Sequence, residues 1–147
     1  MNEGTLTVMG FDYGTRRIGV AVGQTVTQTA TPLRSVVVRA RRPDWDQIAA
    51  WVREYQPQKF IVGQPLRLDD RRHPLADRVL RFGRELRDRF HLPVEFIDER
   101  LSSHEAMGRA VENDAIDIDA EAARIILESW LREHAVLPRA SAAAARA

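Results

Sequence analysis

A chain of 147 residues with 44% hydrophobic and 29% charged residues is one globular domain, long enough to bury a sizeable core. Its net charge of +1 announces no global nucleic-acid or membrane affinity, so any cationic surface has to be local. It has no Cys, which excludes disulfides, thiolate nucleophiles and Cys-ligated zinc; it also has no signal-peptide pattern and no apolar run of bilayer length, which leaves a cytoplasmic location as the expectation.

The chain opens on two apolar runs rich in β-formers, Leu6–Phe11 and Ile18–Gly23, which predict a hairpin. Gly14 in the connection could take a positive φ at no steric cost. Asp12 closes the first run. A strand follows it, so it is no helix cap. It either fixes the turn through its own hydrogen bond or is held out at the sheet edge to bind a divalent metal. Arg16 and Arg17, in the same turn, are either a solvated hairpin tip or phosphate ligands. All cationic residues but Lys59 are Arg, the type suited to bidentate phosphate contacts.

A third strand is expected over Thr31–Arg39, followed by a basic connector, Arg39–Pro43, read as a solvated loop or a phosphate contact. Asp44 then caps a helix over Asp44–Tyr55, with Trp45, Ile48, Ala49, Val52 and Tyr55 on one apolar face. Phe60–Val62 is a short continuous apolar run, as in a strand buried on both faces. The polar stretch after it holds Arg67, Arg71 and Arg72. These are candidates for phosphate contacts, because loops at the C-terminal ends of such strands usually carry ligands. A second helix, Pro74–Phe90, buries Leu75, Val79, Phe82, Leu86 and Phe90 and turns an ion-paired face of Arg, Glu and Asp to solvent.

Val94–Asp98 is a further strand, running into Glu99 and Arg100. Alternation puts Asp98 and Glu99 on opposite faces, so only one can join Asp12. Arg100 either pairs with Asp98 or contacts phosphate. Ser102 and Glu105 have capping-box spacing and start a helix over Ser103–Glu112. Asp117 or Asp119 caps the last helix, which runs to His134; a carboxylate in that position is normally a cap. Residues 1–138 are then a single domain, and 139–147 an Ala-rich disordered tail. The predicted architecture is α/β: a five-stranded mixed sheet, its first three strands antiparallel, flanked by helices on both faces.

Four ordered segments carry a resemblance: F-D-Y-G-T-R-R-I-G-V-A-V, I-V-G-Q-P-L, D-E-R-L-S-S and D-A-E-A-A-R-I-I-L. Together they are similar to the RuvX/YqgF family over nearly the whole chain. The resemblance implies a ribonuclease H-like fold and a nuclease dependent on Mg²⁺ or Mn²⁺. It further implies a role in maturing the 5′ end of pre-16S rRNA on the small-subunit precursor, or in resolving Holliday junctions. Carried over, the catalytic and metal-binding carboxylates are Asp12, Glu99 and Asp119. The expected partner is pre-rRNA or branched DNA, bound by a monomer or a homodimer. The chain departs from the family pattern at Gln64 and Arg67, and in the acidic run before the last helix, where Asp117 is an alternative to Asp119. Two other readings are a non-catalytic RNA- or ribosome-binding factor, and an actin-like ATP-binding module suggested by D-Y-G-T.

Overall fold

The computed structural model describes residues 6–64, 75–98 and 117–134. Its elements are β1 (Thr7–Asp12), β2 (Arg17–Gln24), β3 (Thr29–Arg39), β4 (Arg42–Pro43), α1 (Trp45–Tyr55), β5 (Lys59–Gln64), α2 (Ala76–Phe90), β6 (Val94–Asp98) and α3 (Ile118–His134). The strands form one sheet in the order β4-β3-β2-β1-β5-β6. The pairs β1–β2, β2–β3 and β3–β4 are antiparallel; β1–β5 and β5–β6 are parallel. This is the expected α/β mixed sheet with antiparallel opening strands, but it has six strands rather than five.

The sixth strand lies in the stretch read from sequence as a loop. Val38 and Arg39 pair with Pro43 and Arg42, and the turn between them holds Ala40 at φ 49° and Arg41 at φ 65°. A two-residue hairpin needs positive φ at both central positions, and Asn or Gly usually signals it. Ala-Arg gives no such signal. The third strand also starts earlier than expected, at Thr29.

Side-chain alternation sorts the sheet into two faces. Met9, Phe11, Ile18, Val20, Phe60 and Val62 pack with α1 and α2. Val8, Ala21 and Ile61 pack against Ala123, Ile126, Leu127, Trp130 and Leu131 of α3. Helices therefore cover both faces. Asp44 caps α1 as predicted, its carboxylate accepting from the Gln47 amide at 3.2 Å. Trp51, absent from the expected apolar face, is buried, and Trp45 stacks on Phe82 at 5.5 Å between centroids. The expected ion-paired face of α2 is only partly so. Arg89 holds Glu85 at 3.1 Å, whereas Arg78 and Arg81 pair with no described residue. The predicted helix over 103–112 and the tail lie outside the described residues.

Candidate active site

The site grows from the C-terminal end of β1. Val8 packs on α3, and a Cβ at Gly10 would meet the Leu127 side chain at 3.0 Å. Two residues on, alternation sends Asp12 to that same face. Asp12 is aligned across β2 with Gly19 and across β5 with Gly63. Gly19 is where α3 begins its contact with the sheet: a Cβ there would overlap the Asp119 carbonyl oxygen. The first turn of α3 therefore rests directly on the β2 backbone beside Asp12. Asp12 and Asp119, far apart in sequence, are both neighbours of one glycine.

The two acidic residues at the start of α3 do different work. Asp117 is the cap: its Oδ1 accepts from the Ala120 amide at 3.1 Å. Its Oδ2 accepts from both the amide and the hydroxyl of Ser35 on β3, each at 2.9 Å. Burial alone would raise its pKa. The hydrogen bonds from Ala120, Ser35 and the Asp119 amide outweigh that, and hold it below the ordinary 3.8. The Asp119 carboxylate goes to Arg17 instead. Its Oδ2 meets Arg17 Nε at 3.0 Å, with side-chain exposures of 31% and 64%. An ion pair so exposed is weakly held.

Arg16 is exposed beside it and fastens the turn through its carbonyl, which accepts from the Val38 amide at 2.8 Å. Gly14 does not take the positive φ considered for it. Glycine is needed there for space, since a Cβ would lie 2.6 Å from the Arg17 carbonyl oxygen. Glu99, Arg67, Arg71, Arg72 and Arg100 lie outside the described residues. Glu99 directly follows Asp98, the last residue of β6, whose backbone is aligned with Gln64.

Asp12 and Asp119 supply hard carboxylate oxygens, the donor type that Mg²⁺ and Mn²⁺ take. Among the described residues no cluster of three or more His, Cys, Asp or Glu could hold a metal ion. The two carboxylates fit part of such a ligand set, and Glu99 would be its third member. Sequence reasoning missed the tie between Asp117 and Ser35 and the role of Gly19. The first had no local signal. The second was visible only as a Gly inside a strand pattern, a mark of close backbone approach.

Comparison with known proteins agrees with this framework. The sequence model of the RuvX family, described as Holliday junction resolvase, matches residues 6–133. A protein of Saccharophagus degradans named "Putative pre-16S rRNA nuclease" is 45% identical over 138 residues, covering 90% of this chain and 97% of its own. A protein of the same name from Pseudomonas aeruginosa PAO1 is 43% identical over 133 residues, covering 86% and 92%. The fold is similar to that of Thermus thermophilus RuvC in complex with a Holliday junction substrate. The TM-score is 0.53 at 14% identity, over 87% of this chain and 94% of that one. The fowlpox virus Holliday junction resolvase gives a TM-score of 0.53 at 11% identity, over 87% and 99%. The fold is ribonuclease H-like, as in these resolvases, and the chain belongs to the RuvX family.

Proposed function

We propose that this chain is a divalent-metal-dependent endonuclease that cuts phosphodiester bonds in structured nucleic acid, chiefly at the 5′ end of pre-16S rRNA. Four-way DNA junctions are the second substrate. The observation that supports the reading is that Asp12 is aligned with Gly19, at one end of the sheet, and that the backbone of Asp119 rests on that same glycine. Relatives more than 40% identical and named for pre-16S rRNA favour the RNA substrate. Asp12, Asp119 and Glu99 would hold the ions. When bound, such ions activate a water and stabilise the leaving oxygen.

The remaining tasks fall to the chain's own side chains. Asp117, by anchoring α3 to Ser35, fixes where Asp119 stands. Arg16 and Arg17 offer guanidinium donors to the phosphates beside the scissile bond, a planar fork that matches phosphate oxygens. Arg67, Arg71, Arg72 and Arg100 are proposed to extend that grip.

The test is a cleavage assay on 5′-extended pre-16S rRNA and on four-way junctions, with Mg²⁺, with Mn²⁺ and with EDTA. The proposal expects metal-dependent cutting at a defined site in the RNA. Cutting of junctions alone would reassign the substrate. Nucleic-acid binding without cutting in either metal would make this a binding factor instead.

A further inference from the structure

A second cationic site lies across β1 from the carboxylates. Tyr13 follows Asp12 directly, so its ring goes to the opposite face, where it packs on Phe82 at 5.2 Å between centroids. Over these two rings opens a pocket rimmed by Arg41, Arg78 and Arg81, with Glu85 as its acidic wall. Among the described residues the charge in this pocket is not balanced from within. Glu85 is already held by Arg89 at 3.1 Å, and none of the three rim arginines pairs with a described residue. Arginine does not shed its proton, so three guanidinium groups around one opening repel one another until an anion enters.

The turn that presents Arg41 points the same way. Ala40 and Arg41 occupy the two left-handed positions of the β3–β4 hairpin, at φ 49° and 65°, without the glycine such positions favour. Strained backbone of this kind tends to sit at functional sites. The hairpin also lies at the right end of the sheet. β3 runs parallel to β1, so Arg39–Arg42 is beside the end where Asp12 stands. Arg78 and Arg81 come from the first two turns of α2, where the helix dipole adds to their attraction for anions.

We propose that this pocket grips a backbone phosphodiester of the nucleic-acid substrate, away from the scissile bond. The substrate would then be held on both faces of the sheet end: by the arginines of the β1–β2 turn on one side and by this pocket on the other. The inference rests on the reading that the chain binds nucleic acid, but needs neither metal nor cleavage.

It is therefore tested in EDTA, by fluorescence anisotropy of labelled 5′-extended pre-16S RNA across a salt series. The variant combines Arg41→Gln, Arg78→Gln and Arg81→Gln. The control, Arg53→Gln with Arg132→Gln, removes two exposed charges from the last turns of α1 and α3. Releasing one phosphate from the protein's grip should flatten the slope of log K against log salt by about 0.7–0.9. Affinity near 0.1 M salt should fall about tenfold, with the control unchanged. Should the hairpin change alter folding, as read by thermal melting, the α2 pair Arg78→Gln/Arg81→Gln carries the test alone. A slope equal to that of the control overturns the inference. At matched ionic strength, inorganic phosphate should weaken wild-type binding more than that of the triple variant, by competing for the pocket; equal weakening of both overturns the inference as well. If the wild-type chain binds no RNA or junction at all, the nuclease reading falls together with this one.

Discussion

The carbonyl oxygen of Asp119 occupies the place where a side chain on Gly19 would have to begin. The clash is with backbone, so no rotamer change relieves it; α3 itself must lift from β2. Gly19→Ala should therefore cost about 3 kcal/mol, at the upper end of ordinary overpacking. Because Asp119 would move with the helix, cleavage should fall along with the melting temperature. Thermal unfolding and a cleavage assay on the same preparation check this. A variant as stable and as active as wild type would mean that α3 is not seated there.

Asp117 and Asp119 should separate cleanly by their effects. Asp117→Ala removes a cap, at about 0.5–2 kcal/mol. It also leaves the Ser35 amide and hydroxyl without their acceptor, so denaturant unfolding should show a loss of about 2 kcal/mol or more. Asp119→Asn should change stability by less than about 1 kcal/mol, since its partner Arg17 is exposed, while lowering cleavage.

The pH dependence follows from the same hydrogen bonds. Asp117 is held below its ordinary pKa of 3.8, so the folded state binds fewer protons there than the unfolded chain. Its contribution is complete at neutral pH and is lost as pH falls below about 3.8 and through the folded value. Asp117→Asn cannot titrate. Its unfolding free energy should therefore decline less steeply than that of wild type between neutrality and about pH 3, as read by urea melts.

Arg17 should matter more to binding than to folding. Its pair with Asp119 is 64% exposed on the arginine side, so Arg17→Ala should leave stability within about 1 kcal/mol. Combined with Arg16→Ala, it should flatten the salt dependence of RNA binding by about 0.7–0.9 for each phosphate no longer neutralised. An unchanged slope would remove this turn from the interface.

Much of the fold was legible in the chain because period and punctuation agree with it. Val94–Asp98, the opening hairpin and the Asp44 cap all follow from local rules. The β3–β4 hairpin was not legible, because Ala40-Arg41 lacks the residues that normally mark its left-handed turn. At the site, the sequence placed acidic residues at the end of β1 and the start of α3, with Asp119 carried over from the family resemblance and Asp117 left open as its alternative. That choice depends on Ser35, a residue on a distant strand whose amide and hydroxyl claim one of the two carboxylates. The pocket beside Tyr13 was hidden for the same reason. Arg78 and Arg81 look ion-paired along their helix, and only the folded chain shows that Glu85 has gone to Arg89.

The central claim is that Asp12 belongs to the cutting centre. Its most direct measurement is the metal-dependent cleavage rate of Asp12→Asn on 5′-extended pre-16S rRNA, with thermal melting and RNA binding measured alongside. Loss of a direct metal ligand should exceed the roughly 10–100-fold typical of supporting groups. Cleavage should therefore fall by more than about a hundredfold, with folding and binding intact. A folded Asp12→Asn protein that cuts at the wild-type rate would contradict it.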